Sequence, residues 1–170
     1  MKKDISVVVP CFNEAEVIET TYERLLVALN EIQDYELIFV DDGSSDETLP
    51  RLNKFKESHD AVKVISFSRN FGHQIAVTAG IEEAEGDAII IIDADLQDPP
   101  ELIPEMINLW NQGADVVYGV RDKRAGESKF KLLTAKFFYR IIGSLSDIQI
   151  PHDTGDFRLI DRKVALALSK

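Results

Sequence analysis

The amino-acid sequence predicts an α/β fold in which helices cover both faces of a parallel sheet. Short apolar runs and helical patterns alternate five times along the chain, which is the order that βαβ units require. The run at residues 88–92 is apolar throughout, which is typical of a strand buried on both faces. With 170 residues, the chain can bury a substantial core as one domain.

Local patterns indicate each element in order. The predicted strands are residues 5–10, 35–40, 62–67, 88–92 and 115–119, and the predicted helices are residues 15–32, 47–56, 74–83 and 101–112. The first helix carries apolar residues at helical spacing, including Val17 and Leu25. Ser45 or Asp46 is expected to cap the second helix, and two prolines end the fourth strand.

The alternation breaks after residue 119. Residues 120–127 are polar and charged, which is typical of a mobile loop. Residues 128–145 form a predicted amphipathic helix that contains no acidic residue. This helix either packs on the sheet with its basic side in water, or lies at a membrane surface or receives a phosphate.

The last part of the chain is polar and then helical. Residues 151–160 contain a glycine that is flanked in sequence by two acids, one of them Asp156, and they also contain Arg158. Asp161 is expected to cap a final helix over residues 162–169. The sequence stops inside this apolar helical pattern, so we expect it to be part of a longer protein.

Charge is divided unevenly along the chain. Residues 1–120 hold 8 Lys and Arg against 24 Asp and Glu, whereas residues 121–170 hold 11 against 6. The net charge of −11 argues against general nucleic-acid binding, and the basic C-terminal third indicates an anionic partner. Cys11 is the single cysteine, which excludes an internal disulfide and fits a reducing cytoplasm. No apolar run approaches the roughly 20 residues that span a bilayer.

Two carboxylates, Asp93 and Asp95, follow the fourth predicted strand. Because residues two apart leave a strand on the same side, both side chains point one way, and they repel each other unless a cation lies between them. Gln97 adds a neutral oxygen at the next position on that side. Oxygen ligands suit Mg²⁺ or Mn²⁺. From these residues alone, a metal site and a plain acidic turn with a helix cap both stay open.

Polar or conformationally special residues stand at the ends of several strands. They are Asp41 and Asp42, Arg69 and Asn70, Asp93 and Asp95, and residues 119–121. Ligands of parallel sheets bind beyond the carboxyl ends of the strands, so these residues are predicted to converge on one site. The three histidines show no metal-ligand spacing and are assigned no role.

Six motifs occur in one order along nearly the whole chain. They are residues 9–14 (VPCFNE), 40–46 (VDDGSSD), 69–72 (RNFG), 93–101 (DADLQDPPE), 119–121 (GVR) and 153–159 (DTGDFRL). In these motifs the chain resembles the family 2 glycosyltransferases, and most of all the polyprenyl-phosphate type, such as bactoprenol glucosyltransferases and dolichyl-phosphate mannose synthases. The resemblance implies the GT-A fold, a Rossmann-like, mostly parallel sheet with helices on both faces.

The resemblance also implies a donor site. The residues implied to bind the nucleotide sugar are Pro10, Phe12, Glu14, Asp41, Asp42, Asp93, Ala94 and Arg121. Pro10, Phe12 and Glu14 would line the nucleotide pocket. Asp41 or Asp42 would hydrogen-bond the base, and Arg121 would contact the donor or the acceptor phosphate.

The implied chemistry is metal-dependent. Asp93, Asp95 and Gln97 would hold Mg²⁺ or Mn²⁺ against the diphosphate, and Asp95 and Asp156 are the implied catalytic residues. A metal would neutralise the leaving nucleoside diphosphate as its charge forms. Since a lipid phosphate is already an anion, Asp156 is expected to orient the acceptor or donor, with base catalysis as the lesser option.

The implied reaction is an inverting transfer of a sugar, glucose from a UDP-linked donor, to an undecaprenyl or dolichyl phosphate. The alternative is a family 2 transferase acting on a polysaccharide or other glycan in cell-envelope synthesis. We expect residues 1–170 to be a single catalytic domain truncated at its C-terminus, without its membrane-proximal and transmembrane parts. The full-length protein would be an integral membrane protein acting at the cytoplasmic face, with residues 121–145 on the membrane surface; a homo-oligomer stays open.

Other classes fit the sequence less well. A nucleotidyltransferase expects a glycine-rich loop after the first strand, and residues 10–14 contain no glycine. A dehydrogenase expects Gly-x-Gly-x-x-Gly, which does not occur. A phospho-receiver domain places its acid pair after the first strand, whereas here a pair follows the second. The Gln-x-x-Arg-Trp motif of many polysaccharide synthases is not present in the sequence. A fragment that binds nucleotide without turnover is the remaining alternative.

Overall fold

The computed structural model describes residues 4–120 and 154–168. Spatial contacts divide the chain into two compact units, Met1–Tyr118 with Asp156–Lys170, and Gly119–Gly155. The first unit contains the sheet and its helices. Of the second unit, the described residues are the ends of two strands. A single catalytic domain over residues 1–170 stays a prediction.

The described residues form six strands, five α-helices and one short 3₁₀ helix. The strands are β1 Ile5–Cys11, β2 Tyr35–Asp41, β3 Val62–Ser66, β4 Ala88–Ile91, β5 Val116–Val120 and β6 Thr154–Asp161. The α-helices are α1 Ile18–Ala28, α2 Thr48–Ser58, α3 His73–Glu83, α4 Ile103–Asn111 and α5 Arg162–Leu168, and the 3₁₀ helix is Pro100–Leu102. The strands and helices predicted within the described residues are confirmed, although α1 is shorter than expected at both ends. The helix predicted over residues 128–145 lies outside the described residues.

The strands lie in the order β3-β2-β1-β4-β6-β5. β1 pairs in parallel with β2 and β4, and β2 pairs in parallel with β3. β6 is antiparallel to β4, with Ile91 opposite Arg158. The mostly parallel sheet that the resemblance implies is confirmed. The antiparallel strand β6, which the sequence did not predict, lies between β4 and β5.

Two apolar layers enclose the sheet, and they follow from the alternation of side chains along each strand. Val7 and Val9 of β1 face the layer that contains α1, α2 and α4, whereas Val8 faces the layer that contains α3 and α5. β6 fits the same rule: Phe157 lies in the first layer and Ile160 in the second. The prediction of helices on both faces is confirmed.

A buried carboxylate joins the amino ends of the strands. Glu36 on β2 accepts hydrogen bonds from the Ser6 hydroxyl (2.6 Å) and the Glu85 N–H (2.7 Å), and it pairs with Lys63 Nζ at 2.9 Å. Burial favours a higher pKa for Glu36, but the hydrogen bonds from Ser6, Glu85 and Lys63 outweigh it and lower the pKa. A lowered folded-state pKa stabilises the fold above the unfolded value, and this stabilisation is lost as the pH falls through the folded value.

Side-chain oxygens accept backbone N–H groups in the first turn of two helices. Asp161 Oδ1 accepts the N–H of Lys163 at 2.9 Å, as expected of the residue that caps α5. At α2, Asp46 Oδ1 accepts the N–H of Thr48 at 3.0 Å, although the N-cap position is Glu47 and not Ser45 or Asp46. Among the described residues, none of the helices combines the length and the apolarity that crossing a membrane requires.

Candidate functional site

A cleft of about 350 Å³ opens where β1, β2 and β4 end, beside the start of α3. It is lined by Pro10, Cys11, Phe12, Glu14, Asp42, Asn70, Gly72, His73, Ala76, Asp93, Ala94 and Asp95. Seven of the residues implied to bind the donor or a metal lie on this lining, and they come from three separate strand ends. This is the edge of an open α/β sheet at which ligands bind.

Hydrogen bonds join the loop after β1 to the loop after β2. The N–H of Asn13 donates to Ser44 Oγ at 2.9 Å, and Asn13 Oδ1 accepts the N–H of Ser45 at 2.9 Å. The N–H of Glu14 donates to Thr48 Oγ1 at 2.8 Å. The N–H of Ala15 likewise donates to Asp46 Oδ2 at 3.1 Å, so the predicted first residue of α1 is bound to the loop before α2 and the helix begins later, at Ile18. These hydrogen bonds also fix Phe12 and Glu14 at the rim of the cleft.

Asp42 holds the loop after β3. Its Oδ1 accepts the N–H of Phe71 at 2.7 Å, and its Oδ2 accepts the N–H of Gly72 at 2.9 Å. The next residue, Gly43, has φ +70°, and a Cβ there would stand 2.4 Å from the carbonyl carbon of Arg69. Only glycine permits this approach of the two loops.

Asp41, the other acid implied to bind the base, is buried and does not line the cleft. Its Oδ2 lies 3.4 Å from both the N–H nitrogen of Ser44 and the hydroxyl of Ser66. Its Oδ1 accepts no hydrogen bond from the described residues. The two neighbouring acids therefore have different surroundings, and only Asp42 reaches the cleft directly.

The acidic turn after β4 brings Asp93, Ala94 and Asp95 to the cleft lining. Gln97 lies outside the lining, and its N–H donates to Asp95 Oδ1 at 3.0 Å. Its predicted role as a metal ligand stays a prediction.

Negative charge accumulates in the cleft, where Glu14, Asp42, Asp93 and Asp95 all stand on the lining. Burial raises the pKa of Glu14, and the charges of Asp95, Asp46 and Asp93 raise it further. Burial likewise raises the pKa of Cys11 well above its ordinary value, with Asp41, Glu14 and Asp93 adding to the effect. A neutral thiol is unsuited to be a nucleophile, so Cys11 is a packed residue.

The acidic turn fits a divalent cation, such as Mg²⁺, that is bound jointly by the protein and by a phosphate of the substrate. Among residues 4–120 and 154–168, no group of three His, Cys, Asp or Glu side chains is arranged to hold a metal ion. Mg²⁺ and similar ions, however, usually bind through one or two carboxylates together with the phosphates of a substrate. Asp93 and Asp95 supply such a pair of hard oxygen ligands at the cleft, and a phosphate ligand would complete the coordination.

His73 is a cleft residue to which the sequence assigned no role. It begins α3, and its Nε2 lies 3.8 Å from Asp93 Oδ1. Its position directly after the RNFG motif was the available signal, because the residue that follows a strand-end loop starts the next helix at the same edge of the sheet. Among the side chains on the lining, only those of His73 and Asn70 carry N–H donors.

Two residues implied to be functional, Asp156 and Arg121, do not have described side chains. The backbone of Asp156 belongs to β6, which runs antiparallel to β4 and so begins at the edge of the sheet where β4 ends. Arg121 and the basic segment 121–145 lie outside the described residues. The roles given to them stay predictions.

Comparison with known sequences decides the family. The sequence model described as Glycosyl transferase family 2 matches residues 6–168, which is nearly the whole chain. The chain belongs to glycosyl transferase family 2. The resemblance seen in the six motifs is thereby confirmed.

Members of this family with similar sequences are known from bacteria and phages. The chain is 56% identical to "Uncharacterized glycosyltransferase YkcC" of Bacillus subtilis (strain 168) over 160 residues, covering 94% of this chain and 50% of that protein. It is 43% identical to the bactoprenol glucosyl transferase of Shigella phage SfV over 162 residues, covering 94% of this chain and 52% of that protein. The chain thus spans about half the length of these curated relatives.

A solved structure of similar fold is the mannosyltransferase PcManGT from Pyrobaculum calidifontis, in complex with GDP-Man and Mn²⁺. The TM-score is 0.68 at 21% identity, over 99% of this chain and 47% of that one. This likeness concerns the fold alone. It confirms the predicted GT-A architecture of this family 2 domain.

Proposed function

We propose that this chain is the catalytic part of an enzyme that transfers glucose from UDP-glucose to a polyprenyl phosphate. The proposal includes inversion at the anomeric carbon, dependence on Mg²⁺ or Mn²⁺, and action at the cytoplasmic face of a membrane. The observation that carries it is the 43% identity to a phage bactoprenol glucosyl transferase over 94% of this chain. The acidic cleft at the strand ends supports the donor half of the proposal.

On the donor side, the proposed nucleotide pocket is formed by Pro10, Phe12 and Glu14 with one of the two acids after β2. Phe12 is 45% exposed and lies on the cleft lining, where its ring could pack against a base. Asp42 already accepts two backbone N–H groups, whereas Asp41 retains a carboxylate oxygen without a hydrogen-bond partner in the described residues. Both acids therefore stay proposed acceptors for the base: Asp42 stands on the cleft lining, whereas Asp41 is buried behind it.

Asp93 and Asp95, with Gln97, are the proposed ligands of the divalent ion, and Ala94 lies between the two acids on the lining. Four carboxylates on the lining repel a diphosphate, so the cleft needs a cation before an anionic donor can enter. When bound, such an ion would offset the charge that develops on the leaving nucleoside diphosphate. The Mn²⁺ held by PcManGT, which shares the fold, is consistent with this proposal.

On the acceptor side, a lipid phosphate brings its own negative oxygen as the nucleophile. Its attack on the anomeric carbon forms one bond while the bond to the diphosphate breaks, and this single displacement inverts the centre. The proposed part of Asp156 is to orient the acceptor or the sugar, and that of Arg121 is to contact a phosphate. Positioning of this kind accounts for large rate effects without a proton transfer.

The proposed membrane contact involves the basic segment 121–145, which carries the positive charge of the C-terminal third. Basic residues near an anionic membrane surface each contribute roughly 1 kcal/mol of attraction, and salt screens it. The chain is therefore expected to co-sediment with phosphatidylglycerol vesicles at low salt and to be released at high salt. Failure to sediment at any salt concentration would favour simple packing of that segment.

The direct test is a transfer assay. The purified chain, Mn²⁺ and labelled UDP-glucose are mixed with a short polyprenyl phosphate in detergent, and lipid-linked glucose is measured by solvent extraction. Parallel reactions use GDP-mannose, UDP-N-acetylglucosamine and a glycan acceptor. Lipid-linked glucose that requires the metal is the expected product. Transfer to the glycan alone, or binding of UDP without transfer to any acceptor, would reject the proposal.

A further inference from the structure

Thr21, on α1, contacts the acidic turn from outside the cleft. It is fully buried, and its hydroxyl donates to the carbonyl oxygen of Ala94 at 2.7 Å. The same Oγ1 lies 3.1 Å from the carbonyl oxygen of Val17 within the helix. A hydroxyl has one hydrogen to donate. The shorter contact therefore makes Thr21 a bridge from α1 to the residue between Asp93 and Asp95.

The turn that Thr21 contacts includes a strained residue. Leu96 has φ +59°, in the left-handed region that bulky L side chains rarely adopt. Such a conformation persists only where surrounding contacts hold it. The contacts that hold this turn include a hydrogen bond from the N–H of Gln97 to Asp95 Oδ1 and one from the Thr21 hydroxyl to the carbonyl oxygen of Ala94.

α1 makes a second contact close by. One turn after Thr21, Arg24 donates to both carboxylate oxygens of Glu101, at 2.8 and 2.6 Å. Glu101 belongs to the 3₁₀ helix that follows the acidic turn. The side chains of this ion pair are 34% and 53% exposed, so solvent screens it and its contribution to stability is expected to be about 1 kcal/mol or less. The Thr21 bond is buried, so its removal deprives a buried carbonyl of a donor.

We propose that Thr21 is a positioning residue that fixes the backbone of the acidic turn and thereby aims Asp93 and Asp95 into the cleft. Ala94 joins the two acids, so a rotation of its peptide groups displaces both carboxylates. Binding constellations generally need their ligands held to within roughly 0.5 Å. The use of these carboxylates for a metal rests on the proposed function, whereas the hold on the backbone does not.

The test compares Thr21→Val, which removes the hydroxyl at nearly constant shape, with Thr21→Ser, which retains it. Thr78→Val is the control, because the hydrogen bond that the Thr78 hydroxyl makes to a described residue stays within its own helix, to the carbonyl of Gln74 at 2.8 Å. Amide hydrogen exchange over residues 93–97 is measured by NMR without ligand. UDP binding is measured by calorimetry with and without Mn²⁺, well below the unfolding temperature of each variant.

In Thr21→Val, exchange over residues 93–97 is expected to rise about fivefold, as loss of one buried hydrogen bond predicts. The Mn²⁺-dependent affinity for UDP is expected to fall about tenfold, in the range seen when groups behind metal ligands are removed. Affinity without Mn²⁺ stays as in the wild type. Thr21→Ser and Thr78→Val match the wild type in both measurements, which general destabilisation would not produce.

Unchanged exchange over residues 93–97 in Thr21→Val overturns the proposal, whatever happens to UDP binding. If exchange rises but Mn²⁺ has no effect on UDP binding even in the wild-type chain, the hold of Thr21 stands and the metal part of the proposed function is rejected. If Thr21→Val does not fold, Thr21→Ala and Thr21→Ser form a pair that differs in the hydroxyl alone. Equal exchange in that pair overturns the proposal.

Discussion

Replacing Asp42 by Asn tests whether one carboxylate builds the wall of the cleft. Asp42 is 3% exposed, and its two oxygens accept the N–H groups of Phe71 and Gly72 at 2.7 and 2.9 Å. Hydrogen bonds to a charged acceptor contribute about 1.5–3 kcal/mol each. An Asn amide can accept one of these N–H groups, but its own NH₂ faces the other, so one bond becomes a donor–donor contact.

The expected loss in the free energy of unfolding for Asp42→Asn is about 2–3 kcal/mol, from one lost charged bond and one N–H left without an acceptor. In a chain of this size that corresponds to a fall in Tm of about 4–12 °C. Thermal unfolding by circular dichroism measures it. Calorimetry with UDP should show weaker binding as well, because Asn70, Gly72 and His73 of the released loop line the cleft.

Asp60→Asn is the matched control, since Asp60 undergoes the same chemical change at an exposed position. Surface substitutions of this kind usually stay within about 0.5 kcal/mol of the wild type. If Asp42→Asn unfolds at the same temperature as Asp60→Asn, the two backbone bonds do not hold the loop. The assignment of Asp42 to the cleft wall would then be wrong.

Three further predictions concern single carboxylates. Asp95→Asn should abolish the Mn²⁺-dependent part of UDP binding in calorimetry while leaving Tm near that of Asp60→Asn; unchanged binding would remove the metal assignment. Asp156→Asn should lower glucose transfer about 100-fold, as loss of orientation predicts, while donor affinity stays near wild type; wild-type turnover would exclude its catalytic role. Glu36→Gln should make the free energy of unfolding less dependent on pH in acid. In urea, the wild type is expected to lose stability as the pH falls below about 4.5, the ordinary pKa of Glu36, because the folded-state pKa is lowered. The same fall in the free energy of unfolding below pH 4.5 in both proteins would contradict this.

The sequence determines the elements that depend on local pattern. Residues 7–9 of β1, 37–40 of β2 and 88–91 of β4 are uninterrupted apolar runs. Consecutive apolar side chains point to both faces of a strand, so these runs alone predict strands that are covered on both faces. The motif residues follow the same logic. Because parallel strands end at one edge, Pro10, Asp42 and Asp93 had to meet there once the strand order was a Rossmann-like one.

The tertiary structure decides what depends on partners distant in sequence. β6 was missed because Phe157, Leu159 and Ile160 form no sustained alternation, as the last two are adjacent. Its antiparallel place beside β4 depends on a pairing partner more than 60 positions away.

The same reason applies to the cleft. No local pattern shows that both oxygens of Asp42 bind the loop after β3, that His73 faces Asp93, or that Thr21 holds the carbonyl of Ala94. Periodicity reports which side of an element is buried, since burial repeats along the element. Hydrogen-bond partners do not repeat, and they are fixed only when helices and loops from different parts of the chain pack on the common sheet.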